Sequence, residues 1–198
     1  DNVSWRVALD WQATPTVLLY ASVSQGAKAG NTPINAANIS TQQLPARQET
    51  LLAFEVGMKA GLFDRRVQLN VSAFYYDYND KQLSVYFADP IYTALARLAN
   101  VPDTEAWGVD GDITWRPTEE FTFISSATWV ETRINNYMGI NASGLPQLFD
   151  DRRFPYSPTL QASFTGLYKR EINERIGMQA ALTARYQNDS ASGRGDDP

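Results

Sequence analysis

Asp110 and Asp112 stand two residues apart, a spacing that turns both carboxylates to one side of a β-strand. A carboxylate pair so placed could share general acid and base work. The plainer account is structural: two acids on the polar face of a strand, neutralised by Arg6, Lys59 or Arg185. Asp77-Tyr78-Asn79-Asp80 has the oxygen density of a calcium loop, but the glycine and bidentate glutamate of such loops are missing at the required offsets. It reads as the end of a strand. Arg194-Gly195-Asp196 spells an adhesion tripeptide, and N-x-[ST] sequons begin at Asn2, Asn38, Asn70, Asn141 and Asn188. None of these short matches assigns a function by itself. The chain contains no histidine and no cysteine, which removes Ser-His-Asp triads, imidazole zinc motifs, thiol nucleophiles and disulfide scaffolds. No resident metal, cofactor or enzymatic activity is expected. With 17 Lys+Arg against 22 Asp+Glu the net charge is −5, the wrong sign for a nucleic-acid partner.

The elements that must position these residues show period-two alternation. Trp5, Val7, Leu9 and Trp11 oppose Arg6, Ala8 and Asp10; Phe54, Val56 and Met58 oppose Glu55, Gly57 and Lys59. Val67, Leu69, Val71 and Ala73 oppose Gln68, Asn70 and Ser72, and Ile176, Met178, Ala180 and Leu182 oppose Gly177, Gln179 and Thr183, where Arg185 continues the polar set. Such patterns predict strands over 3–12, 16–26, 49–60, 66–78, 105–116, 120–132, 159–169 and 175–187, each paired with its sequence neighbour. No charge falls on the apolar side of any of them. The polar sides carry Arg6, Asp10, Glu55, Lys59, Asp110, Asp112 and Arg185, a charge network for a water-filled or plugged interior.

The apolar faces begin at Trp5, Val17, Leu52, Val67, Trp107, Phe121, Leu160 and Ile176, so short and long spacings alternate without exception. Short links carry turn residues, as in Ala13-Thr14-Pro15-Thr16 and Arg116-Pro117-Thr118-Glu119. Long links, over roughly 26–48, 80–105 and 132–158, are rich in Asn, Pro, Asp and Gly. Trp5, Trp11, Tyr75, Trp107, Trp115, Trp129, Tyr168 and Tyr186 lie near the ends of apolar faces, where interfacial girdles belong. The fold class this predicts is all-β: an antiparallel up-and-down transmembrane β-barrel segment of about eight strands. A soluble β-sandwich would not explain the strict short and long alternation.

Several stretches resemble the TonB-dependent outer-membrane receptors. VLLYASVSQGAKAGN is similar to that family's "LYASYSRGFK" type segment. QETLLAFEVGMKAGLFDRRVQLNVSAFYYDYNDKQL resembles its hairpin with "E-x-G-x-K" before a tight turn and "N-x-x-x-F-x-x-D-Y-x-D" after it. WGVDGDITWRP and LPQLFDDRRFPYSP resemble later segments in family order. The resemblance implies a barrel of about 22 strands around a plug, of which residues 1–198 match only a late-middle part. The chain is therefore expected to be a piece of a longer protein. Implied partners are outer-membrane lipid and lipopolysaccharide, the plug domain of the parent chain, TonB through the parent chain, and a small-molecule or metal-chelate ligand. The implied location is the cell outer membrane of Gram-negative type.

The long-loop side carries Lys28, Arg47, Tyr76, Tyr78, Tyr86, Arg133, Arg152, Arg153 and Tyr156. Cations among aromatic rings suit an anionic, ring-containing ligand such as a ferric chelate. The same cations could instead bind lipopolysaccharide phosphates or pair with loop acids, and both readings stand. The function expected is active transport of a scarce ligand (a ferric siderophore, cofactor or oligosaccharide). The alternative is a complete small eight-stranded barrel with a structural or adhesion role. A narrow closed barrel needs its interior filled by side chains, and inward Ala8, Ala53, Gly57, Gly108, Gly177 and Ala181 are too small for that. Free edges at 3–12 and 175–187 are expected instead.

Overall fold

The alternation is realised as a single antiparallel sheet. The computed structural model describes residues 2–32 and 44–190. The adhesion tripeptide, the Asn38 sequon and much of the first long link lie outside the described residues. The strands are β1 (Trp5–Thr14), β2 (Val17–Lys28), β3 (Glu49–Leu62), β4 (Val67–Asp89), β5 (Thr93–Trp115), β6 (Phe121–Ile134), β7 (Tyr137–Ile140), β8 (Pro146–Phe149), β9 (Leu160–Asn173) and β10 (Ile176–Gln187). Their order in the sheet is β1-β2-β3-β4-β5-β6-β9-β10, with β7 and β8 set off as a hairpin that touches β4.

Register explains the two faces. One row of cross-strand partners reads Leu9, Ala21, Val56, Ala73, Val109, Trp129 and Leu160. The neighbouring row reads Asp10, Tyr20, Gly57, Ser72, Asp110, Thr128, Gln161 and Gln187. A slip of one residue on any strand would exchange these faces, so the pattern itself pins the pairing. The apolar face is bare: Val7, Leu9, Val56, Val71, Ile113, Phe164 and Leu182 are all exposed, Leu9 at 72%. In water such a surface is far larger than a monomer tolerates; in hydrocarbon it is what a barrel wall presents. The buried apolar cluster is small and sits where β5, β6 and the loop before β9 meet, around Val101, Ala106, Ile134 and Phe154.

β1 and β10 are exposed along their whole length, and no ladder joins them among the described residues. The small closed barrel is therefore not formed, and the sheet is open, as the inward glycines and alanines suggest. Those small residues have a more local reason as well. A Cβ on Gly57 would stand 2.5 Å from the Tyr20 ring, and one on Gly108 would meet Phe74 at 2.8 Å. Gly57 leaves room for the Tyr20 ring, and Gly108 leaves room first for the Trp129 backbone carbonyl on β6 and then for the Phe74 ring.

Two expectations need correction. Residues 80–105 are not a loop: β4 and β5 run on as a long hairpin to Asp89 and Thr93. The ladder only skips the Asp80–Pro102 step, where Asp80 has φ 55° and proline has no N–H to offer. Asp77–Asp80 is thus strand interior rather than strand end. Residues 132–158 likewise hold the β7–β8 hairpin, closed by a turn in which Asn141 Oδ1 accepts the amides of Ser143 and Leu145. Ten strands form in place of about eight, and the eight expected are all among them.

Candidate functional site

The polar face is organised around one tyrosine. Tyr20, on β2, lies across Gly57 and donates its hydroxyl to Glu55 Oε1 at 2.6 Å. Lys59 Nζ stands 5.9 Å from the centre of the same ring. Glu55, Gly57 and Lys59 alternate on β3, so the three marked positions of the E-x-G-x-K stretch together seat one neighbouring side chain. Next to them Asp110 accepts from Ser72 Oγ, and Asp112 accepts from Asn70 Nδ2 at 2.9 Å. The expectation that Arg6, Lys59 or Arg185 would neutralise these acids is not met, because neutral donors on β4 sit directly opposite them in register. Arg6 donates instead to Ser22 Oγ at 3.3 Å, and Asp10 and Arg185 make no ion pair among the described residues.

Farther toward the long hairpins the face turns aromatic and then cationic. Phe74 stacks on Tyr76 at 4.7 Å, Tyr76 meets Tyr78 edge-on at 6.4 Å, and Tyr78 meets Phe154 at 6.3 Å. Lys81 Nζ closes this ladder, 3.4 Å from the Tyr78 ring centre and 4.9 Å from that of Phe154. A desolvated cation over a ring gains about 2 kcal/mol. Lys81 and Lys28 share one carboxylate, Glu49, at 3.7 and 3.9 Å. The apolar band ends at the Phe54–Tyr75–Trp107 level, and Lys81 lies beyond it. Burial lowers the Lys81 pKa from its ordinary 10.5, partly offset by Glu49. Two cations, one carboxylate and two rings thus leave a net positive, aromatic-walled corner suited to an anionic group.

The expected ligand residues divide between places. Lys28, Tyr76 and Tyr78 belong to this corner. Tyr86 and Arg152 line a cavity of about 550 Å³ above it, between the β4–β5 hairpin and β7–β8. Arg47 is tied to Asp80 at 2.7 Å, while its carbonyl accepts from Gln82 and Asn100, which pins the first long link to the hairpin. Arg153 lines the same cavity as Arg152, whereas Arg133 is on the other side of the sheet. Arg133 pairs with Asp151 at 2.7 Å and lies 5.1 Å from the outward Trp107 ring, and Arg153 pairs with Glu131 at 3.3 Å. Tyr156 is exposed, with φ 57°. Sequence reasoning missed Lys81, Glu49 and Phe154. Lys81 falls in a segment whose composition predicts a loop, which hides it although its spacing from Tyr78 is plain in the sequence.

An open sheet with one lipid-type face, one polar face, tight turns at one end and long hairpins at the other defines a segment of an outer-membrane β-barrel. The chain belongs to the TonB dependent receptor-like β-barrel family, whose model matches residues 1–198. Among solved structures it is similar to the ferric yersiniabactin uptake receptor FyuA from Yersinia pestis, with a TM-score of 0.72 at 16% identity. That match covers 96% of this chain and 27% of the receptor. It is also similar to the siderophore receptor PiuA from Acinetobacter baumannii (TM-score 0.65, 18% identity, 93% of this chain and 26% of that one). The copper transporter OprC matches with a TM-score of 0.63 at 17% identity, over 91% of this chain and 25% of its own length. The chain thus spans about a quarter of the receptors it resembles.

Proposed function

We propose that residues 1–198 are part of the barrel wall of an outer-membrane active-transport receptor, taking up a scarce ligand with energy delivered through TonB. In this reading the polar face meets the plug domain of the parent chain, and the bare face meets membrane lipid and, at the long-hairpin side, lipopolysaccharide. The barrel is a selective conduit and no bond is made or broken by it. The observation that carries the reading is the Lys28–Glu49–Lys81 cluster against Tyr78 and Phe154. Such a corner favours an anionic ligand with ring groups, as a ferric siderophore has; of the similar structures, one is described as a ferric yersiniabactin uptake receptor and another as a siderophore receptor. Lys28, Tyr76, Tyr78, Lys81, Tyr86, Arg152 and Arg153 are the ligand contacts we assign; Arg133 fits the lipopolysaccharide side instead.

The test is uptake of radioactive iron, supplied as a panel of ferric siderophores, by cells carrying or lacking the receptor and TonB. Accumulation that needs both supports the proposal. Accumulation independent of TonB, or none with any ferric chelate but copper uptake in its place, replaces the ligand or the coupling.

A further inference from the structure

The bare outer face is not uniformly convex. Near the tight-turn end it is indented by a groove of about 860 Å³, bordered by Phe63, Arg66, Ile113, Trp115, Ser125 and Phe164 among others. The dent has a local cause. Ser125 sits in register between Ile113 and Phe164, where its neighbours carry large side chains, and its hydroxyl turns onto Ser163 O at 3.3 Å. Its floor is therefore a small residue between the larger Ile113 and Phe164. At the turn end, Phe63, Asp64 and Arg65 all have positive φ (52°, 54° and 64°), a left-handed run that residues with side chains adopt at a cost. This strained turn holds Phe63 out at 77% exposure beside the groove mouth and delivers Arg66 to its rim. Arg116 is adjacent, its amide donating to the Arg66 carbonyl at 2.8 Å. The side chains of Arg65, Arg66 and Arg116 make no ion pair with any described residue, although Asp64, Glu119 and Glu120 lie at the same end.

We propose that this groove seats one glycerophospholipid of the periplasmic leaflet, an acyl chain lying along Ile113, Ser125 and Phe164 and the phosphate held at Arg66. The inference rests on the membrane-spanning reading, in which tight turns face the periplasm. An indentation in a lipid-facing wall can be filled only by hydrocarbon, and a cation without a protein partner at headgroup height selects an anionic head. Phosphatidylglycerol is the probe: a charged phosphodiester with two chains.

The intact receptor is purified in mild detergent, mixed with phosphatidylglycerol or phosphatidylcholine, and weighed by native mass spectrometry. One retained phosphatidylglycerol is expected, held at least about tenfold more tightly than phosphatidylcholine. Arg66→Gln should abolish that preference and Arg66→Lys should keep most of it. Ser125→Phe, which fills the floor and leaves the charge, should weaken both lipids. Arg170→Gln, a cation at the same end but outside the groove, should change nothing. Retention that is equal across all variants would overturn the proposal in favour of an ordinary lipid annulus. Heat-dependent gel mobility separates the two levels: a receptor that fails to insert in bilayers overturns the membrane reading itself, and with it the groove.

Discussion

Gly57→Ala is the substitution whose effect the geometry fixes most closely. The new methyl would lie 2.5 Å from Tyr20 Cζ and 2.6 Å from its Oη, closer than a non-bonded methyl carbon tolerates. β3 is locked in register between β2 and β4, so the tyrosine tip is what moves. Once displaced, Tyr20 gives up its 2.6 Å bond to Glu55 and its approach to Lys59. A hydrogen bond to a charged group contributes about 1.5–3 kcal/mol, and an exposed cation–ring contact about 0.5–1. Replacing glycine in a strand returns about 0.5–1 kcal/mol. Because the tyrosine is only part-buried, we expect a net loss of about 1–2 kcal/mol. The assay is urea unfolding of the receptor in lipid vesicles, followed by tryptophan fluorescence. Decisive is the double-mutant cycle: with Tyr20→Ala already present, Gly57→Ala should be neutral or stabilising. Effects that add within about 0.5 kcal/mol would refute the seat for Tyr20.

Val71→Arg, on the bare face at mid-height, should cost about 2–4 kcal/mol in bilayers, while Asn70→Arg on the polar face should cost far less; equal folding yields for the two would count against the face assignment. Lys81→Met should weaken uptake of an anionic chelate at least about tenfold with the barrel still folded, read from uptake and gel mobility on the same cells. The Lys81 pKa is lowered by burial, so the unfolded chain keeps that proton to higher pH than the folded one. Stability should therefore rise with pH from the lowered value up to the ordinary 10.5, and the urea midpoint of Lys81→Met should lack that increment; parallel curves would show that the lysine is not desolvated. Residues 1–198 expressed alone should associate in the absence of detergent through the bare face and the open β1 and β10 edges, and a monodisperse monomer in sedimentation would contradict this.

The eight long strands were readable because both faces declare themselves, residue by residue, at period two. The β7–β8 hairpin was not, since four residues per strand are too few to establish a period. The β4–β5 extension was masked by Asp80, Pro90 and Pro102, residues that normally end strands. Here Pro90 falls in the hairpin turn, and the ladder passes Asp80 and Pro102 because Asn100 Nδ2 donates to Asp80 O beside the missing proline amide. The same misreading hid Lys81. Height alone groups Arg133 with the ligand residues; the face it takes follows from strand parity carried past Thr132, which a loop over 132–158 does not preserve. The pairing of Tyr20 with Glu55 needed register across two strands, and no single-strand pattern holds that information.

The central claim is that one face of this sheet meets lipid and the other does not. The chain has no cysteine, so single cysteines can be placed along β4 without removing others. Spin labels at positions 68 to 73 of the receptor in bilayers, relaxed in turn by oxygen and by a water-soluble nickel chelate, measure the environment at each step. Labels replacing Leu69, Val71 and Ala73 should respond to oxygen and be protected from nickel, and those replacing Gln68, Asn70 and Ser72 should lack that lipid signature. Accessibility without a two-residue period, or with the opposite phase, would contradict the account.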